Sequence, residues 1–470
     1  MQKVSSVFVF FVLMIVVLGG CVPATFINPA HVNVDPGDNI TDVSIAIDGN
    51  GMKHIVGIKD DRVVYFRGNI GEPTYQFTIG WGYLLPGTDT SDWSQHKPEI
   101  AVQSNGTAHI VWYEEYGDPS QKTACYLEVA PAYDPTSLEY CHPLDVSDGY
   151  TTGLVRVAAK GNVAYAVYDR IDTDGYVESV WYKKLEELTT TGLVVNYTVV
   201  TEDAYINTFD MAIDDNGNLH IAYIDLATYT PNPRLWYRSN ATTKPDYSMN
   251  QIWAIASGTS LQKDVQPSIH FYKDEFVMIT SVWEFDGNQG IFVDRCNIIG
   301  CADQISKLPT FSLDDWDSSS EFLEVKGMGI SDDYFLSFIA HNEKSSDYQV
   351  WYWAYTFPGD PVQITDSSYV KSQLKMVDSP FPIIGYLESW ESDGLLSTYV
   401  DRVSIYDEEY GVREVKKSFC PGLIKNKSSD MASYVDLMTD SVPVAGVWNV
   451  CNKTWFSTNA FMIDLPLIMK

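Results

Sequence analysis

The chain has 470 residues, 45% of them apolar, with 62 acidic against 31 basic side chains and a formal charge of -31. That length allows two or three ordinary domains or one long repeat array. The charge excludes nucleic acid as a partner, because phosphate contacts need clustered Lys and Arg. It is compatible with calcium and with cationic partners.

At the N-terminus, Lys3 precedes an apolar run from Val7 to Leu18, followed by Leu18-Gly19-Gly20-Cys21. Small residues before a cysteine, directly after a hydrophobic segment of this length, resemble the lipobox of bacterial lipoproteins. The resemblance implies a signal peptide over residues 1–20 and a Cys21 whose sulfur carries diacylglycerol, with a further acyl chain such as palmitate on its amino group. It further implies an extracytoplasmic protein held by lipid to the cell membrane or an outer membrane. Val22 follows the cysteine, where inner-membrane retention favours Asp. Residues 21–42, with Pro23, Pro29, Pro36 and Gly37, read as a tether.

From residue 43 onward one phrase recurs about every 55 residues. It reads Ile45-Ala46-Ile47-Asp48-Gly49-Asn50-Gly51, then Ile100-Ala101-Val102-Gln103-Ser104-Asn105-Gly106, then Met211-Ala212-Ile213-Asp214-Asp215-Asn216-Gly217. The Asn-Gly pairs, and Gly161-Asn162 in a more divergent unit, suit the positive φ of a tight hairpin. They predict a first strand, a turn, and a second strand such as His109-Ile110-Val111-Trp112 or His220-Ile221-Ala222-Tyr223. Aromatic third strands follow, as in Leu235-Trp236-Tyr237-Arg238 and Val350-Trp351-Tyr352-Trp353, and then less regular fourth strands. First strands start near Ile45, Ile100, Val155, Met211, Ile269, Met328, Leu374 and Val435.

Four strands per unit with short turns define an all-β fold, a β-propeller over residues 43–470. Eight blades is the first expectation, with seven plus a divergent segment as the alternative. Either Ala30–Val34 or Phe461–Leu465 supplies the strand that closes the ring. This pattern resembles extracytoplasmic propellers with sialidase-like Asp/Asn-Gly turn repeats. Sialidases of that fold carry Ser-x-Asp-x-Gly-x-x-Trp boxes between the third and fourth strands. The Asn-Gly phrases here fall between the first and second, so no catalytic residue is carried over.

Six cysteines besides Cys21 fit an oxidising compartment, and their spacing predicts the nearest-neighbour disulfides Cys125–Cys141, Cys296–Cys301 and Cys420–Cys451. None has the Cys-x-x-Cys spacing of zinc or redox sites. Asp172-Thr173-Asp174-Gly175 matches part of a calcium loop but lacks the downstream bidentate acid, and reads as a polar hairpin tip.

A column of acids closes several second strands: Glu114, Asp169, Asp225, Glu284 and Glu388. Two readings fit it. The carboxylates ring one channel mouth and bind a cation or polar ligand, or they accept backbone N–H bonds in the loop to the third strand. Trp112 and Trp283, close to that column, are the candidate aromatic contacts for a sugar ring. His54, His109 and His220 recur at one repeat position and read as strand-packing residues. With no nucleophile elbow, phosphate loop or His-Glu-x-x-His, the first functional expectation is a non-enzymatic module binding a protein or glycan. The alternative is a glycan-acting hydrolase using two carboxylates of the column.

Overall fold

The computed structural model describes the strands and tighter connections between residues 30 and 458. Residues 1–29, 32–39, 459–470 and many loops, among them 80–92, 132–141, 197–205, 242–249 and 298–320, lie outside the description. Cys21, the tip at Asp172–Gly175 and the run Phe461–Leu465 therefore fall outside it as well.

The described strands form eight four-stranded antiparallel sheets. Sheet 1 is typical, with Thr41–Ile47, Met52–Lys59, Arg62–Asn69 and Tyr75–Thr78 side by side in chain order. The first strands of sheets 2 to 8 are Ser94–Val102, Val155–Lys160, Ile206–Ile213, Ser268–Tyr272, Glu321–Ile330, Val370–Val377 and Ser428–Ser433. Each packs against the first strand of the next sheet, and Thr41–Ile47 packs against Ser428–Ser433 to complete the cycle. The fold is a closed β-propeller.

The hairpin chemistry read from the sequence holds at each turn. Gly51, Gly106, Gly161 and Gly217 have φ of 76°, 85°, 59° and 79°, a region costly to any residue with a Cβ. The eighth first strand is a correction. It starts at Ser428, upstream of the expected Val435, which lies outside the description. Closure uses the N-terminal segment: Ala30 and His31 pair with Phe456 and Trp455 on the third strand of sheet 8 and so supply its outer strand. In sheet 5 the first strand is split, so that Ser260–Leu261 and Ser268–Tyr272 both pair with Phe276–Phe285.

The core is divided among the seams between sheets. Because side chains alternate across a strand, Ile55, Val64 and Phe66 of sheet 1 face sheet 8, where Val447 meets them. Val56, Ile58, Val63 and Tyr65 face sheet 2 and pack with Ile110, Trp112 and Leu127. This explains why second strands read as continuous apolar runs: both faces are covered. Equivalent clusters join sheets 2 and 3, 3 and 4, 4 and 5, 5 and 6, and 6 and 7. At the remaining seam Gly385 of sheet 7 lies so close to Met431 Sδ of sheet 8 that no Cβ fits without displacing it.

Cys125 and Cys296 are buried and disulfide-bonded, and Cys141 and Cys301 lie outside the description. Among the described residues no helix is long and apolar enough to cross a membrane.

Candidate functional site

The acids that close the second strands are buried. Glu114 is 1% exposed, Asp169 4% and Glu388 0%. Gln95 Nε2 donates to Glu114 Oε1 at 2.8 Å, and Trp112 Nε1 does so at 3.3 Å. Gln95 in turn accepts the Val63 N–H of sheet 1 at 2.6 Å. Asp169 accepts the Leu154 N–H at 3.0 Å, and Glu388 accepts the Ser367 hydroxyl at 2.9 Å. In each case the partner lies at or before the first strand of the same sheet. These three carboxylates fasten the chain where it enters a sheet, and their burial corrects the open ring at a channel mouth; Asp169 accepts a backbone N–H, as the second reading has it, from the residue before its first strand. Trp112 is likewise fully buried, so it is a core residue and no ligand contact. The side chains of Asp225, Glu284 and Trp283 lie outside the description.

The recurring histidines form a buried polar relay. His54, His109 and His220 Nδ1 lie 2.7, 2.8 and 2.6 Å from the hydroxyls of Tyr65, Tyr126 and Tyr237 on the adjacent third strands. In sheet 4, Asp214 Oδ2 lies 3.3 Å from His220 Nε2, while Oδ1 accepts the Asn216 and Asn218 N–H groups of the turn. In sheet 1 the corresponding Asp48–His54 separation is 3.8 Å. Burial lowers the pKa of all three histidines, that of His109 to about 4. They are neutral at pH 7 and each is tied to its third strand, His220 to the turn as well, so the packing role expected from the sequence gains a hydrogen-bonding one.

The charged groups that converge lie on the first strands, around the axis of the ring. Arg156 of sheet 3 pairs with Glu99 of sheet 2 at 2.5 Å, and Lys375 of sheet 7 with Asp430 of sheet 8 at 3.2 Å. The two pairs sense each other, since Glu99 interacts electrostatically with both Lys375 and Asp430. Asp210, Glu324 and Lys326 belong to the same field. The pattern has a two-sheet period. Glu99, Asp210, Glu324 and Asp430, on the even sheets, each accept a backbone N–H from the next first strand: Val157 at 3.3 Å, Ile269 at 3.1 Å, Leu374 at 2.8 Å and Ile45 at 2.9 Å. Irregular pairing near Ser44 and Leu374 withdraws those N–H groups from the ladder, and the carboxylates satisfy them.

The environments of these acids differ. Burial raises the Glu99 carboxyl above the ordinary range, against the pull of Arg156, Lys375 and the Val157 N–H. Asp430 is 18% exposed, accepts the Ser44 hydroxyl at 3.0 Å on Oδ2, and turns Oδ1 to Lys375. Lys375 is raised, first by the charge of Asp430. The sequence held a usable signal. Glu99, Asp210 and Asp430 each stand directly before the Ile/Met-Ala step that opens the phrase, a charge inside an otherwise apolar strand. Among the described residues no group of three or more His, Cys, Asp or Glu side chains is placed to hold a metal, so the calcium expectation acquires no site there.

No family model and no curated protein matches the chain. Solved structures do. Prolyl oligopeptidase B of Galerina marginata aligns with 88% of this chain at 8% identity and a TM-score of 0.46. The chain spans only 56% of that protein's length. An α-L-arabinanase of Penicillium chrysogenum aligns over 83% of this chain and 99% of its own, at 8% identity and a TM-score of 0.37. An α-L-arabinofuranosidase of Fusarium graminearum covers 67% and 92%, at 9% identity and 0.37. At these identities the likeness concerns the propeller fold. These three neighbours are enzymes by name, two of them arabinan-type glycosidases; that is a property of those proteins, and the expectation of a non-enzymatic binding or scaffold module is not carried further.

Proposed function

We propose that the chain is a glycan-acting hydrolase working in the axial channel, with Glu99 as general acid and Asp430 as the second carboxylate. One observation carries this reading: two ion-paired carboxyl groups of unlike environment, Glu99 with Arg156 and Asp430 with Lys375, stand on the first strands that surround the ring axis. Glycosidic cleavage needs that division of labour. The general acid must give a proton to the departing sugar oxygen, and burial pushes the Glu99 carboxyl up in that direction. A carboxylate held by a cation attacks the anomeric carbon or activates water. Asp430 suits the second role, because Oδ2 is fixed by Ser44 and Ile45 while Oδ1 faces the channel cation Lys375. Arg156 orients Glu99 through its own ion pair. The test is reducing-end release from arabinan and a panel of other polysaccharides by a form starting after Cys21. Glu99→Gln should lower turnover by about 100-fold while thermal unfolding stays cooperative. No release from any glycan, or full activity in that variant, overturns the reading.

The same proposal places the enzyme outside the cytoplasm, anchored by acyl chains on Cys21 to the cell membrane or an outer membrane. The disulfides Cys125–Cys141, Cys296–Cys301 and Cys420–Cys451 belong to it, supported by the bonded state of Cys125 and Cys296. Intact-mass analysis of protein extracted from membranes should show cleavage before Cys21, a diacylglyceryl adduct on it and three disulfides. An unmodified Cys21, or free thiols at the other six positions, contradicts this placement.

A further inference from the structure

Two large apolar side chains stand exposed together at one end of the ring axis. Leu323 is 42% exposed on the first strand of sheet 6, and Val370 is 70% exposed where the first strand of sheet 7 begins. These strands pack on each other, and Glu324 ties them by accepting the Gln373 and Leu374 N–H groups at 3.0 and 2.8 Å. Next to Val370, Tyr369 stacks on Trp390 near the end of the second strand of sheet 7, with ring centroids 4.0 Å apart and planes 13° from parallel. Both rings are half-buried. Polar groups hold this apolar lip from beneath. Thr365 Oγ1 accepts the Val350 N–H at 2.9 Å and donates to Gln349 Oε1 at 2.7 Å. The Ser367 carbonyl accepts Gln349 Nε2 at 2.9 Å and the Lys371 ammonium, while the Ser367 hydroxyl donates to Glu388. Gln349, Thr365, Lys371 and Glu388 are all buried. Burying such groups is costly unless they are partnered, and here their bonds fix a surface connection in one conformation. A rigid segment that presents Val370 and an aromatic pair to water is preorganised for a ligand with an apolar face.

We infer that this lip is a subsite for one sugar ring, whose C–H face rests against the aromatic pair and Val370 while the glycan continues toward Glu99 and Asp430. This rests on the glycan-acting reading above and adds the substrate class to it: an extended polysaccharide chain in place of a short glycoside. Spacing supports it. Lys375, the partner of Asp430, lies five residues beyond Val370 on the same strand. The lip is therefore roughly 15 Å along that strand from the carboxylates, at about 3.3 Å per residue. A sugar on the lip is not the one being cleaved. Two aliphatic side chains and one ring pair suit a single sugar, and fall far short of the roughly 20 residues a side of a stable protein interface.

Calorimetric titration decides the matter with linear dimers and decamers of arabinan, galactan, xylan and glucan, using the form that starts after Cys21. The wild-type protein should bind the decamer of at least one series more tightly than its dimer. Trp390→Ala and, separately, Val370→Asp should each lower the decamer affinity at least tenfold and leave that of the dimer unchanged. Val370 is mostly in solvent, so its replacement should leave the thermal midpoint in place and keep the test valid if Trp390→Ala fails to fold. A decamer affinity unchanged in Val370→Asp, or an equal loss for dimer and decamer, overturns this inference alone, with glycan cleavage left standing. Pelleting with phosphatidylcholine vesicles that Val370→Asp abolishes, with no effect on any oligosaccharide, would assign the lip to a lipid surface and overturn it as well. Failure of the wild-type protein to bind or cleave any of the chains overturns both readings.

Discussion

Asp294→Asn is expected to stabilise the protein by about 4 kcal/mol at pH 8 and to have almost no effect near pH 3. Asp294 lies on the third strand of sheet 5, is 4% exposed, and its Oδ2 has no hydrogen-bond partner among the described residues. Burial alone lifts its pKa from 3.8 to about 7. Below 3.8 the carboxyl is protonated in both folded and unfolded chains. Between 3.8 and about 7 the unfolded chain releases the proton and the folded chain keeps it, so stability falls as pH rises. Above that window both forms are ionised and the full penalty is present. Asparagine keeps the shape and cannot ionise, so the variant lacks this slope. Urea unfolding at pH 3, 5 and 8 checks it. Equal midpoints for both proteins at pH 8 would show that Asp294 is solvated or paired.

Asp430→Ala is expected to cost about 3 kcal/mol, read as a lower urea midpoint with an unchanged slope. The substitution strips the acceptor from the Ile45 N–H and the Ser44 hydroxyl and leaves Lys375 without its partner. These bonds lie at the seam between sheets 8 and 1, where the two ends of the array meet. Lys375→Met in the same background should recover part of the loss, because it removes the charge that Asp430→Ala strands. Strict additivity of the two changes would mean the pair does not interact.

The architecture was legible because it rests on local rules. Asn-Gly turns demand positive φ, and alternation within each strand assigns Ile55 to one seam and Val56 to the other. The site was less legible because its residues meet only after closure. Glu99 and Asp430 come to stand around one axis only when the array closes, and no local spacing announces that. The acids that repeat most visibly in sequence, Glu114, Asp169 and Glu388, each fasten the start of their own sheet, in sheets 2, 3 and 7. Repetition marked structure there. The irregular charges, Arg156 in sheet 3 and Lys375 in sheet 7, mark where the repeats diverge.

Cleavage in the axial channel is tested most directly by the crystal structure of Glu99→Gln soaked with an oligosaccharide of the kind the wild-type protein cleaves. The account predicts sugar density in the axial channel, with the scissile oxygen within hydrogen-bond distance of the residue 99 side chain and a sugar anomeric carbon facing Asp430. Sugar bound only on the outer faces of the sheets, with the Arg156 and Lys375 pairs undisturbed, would contradict it.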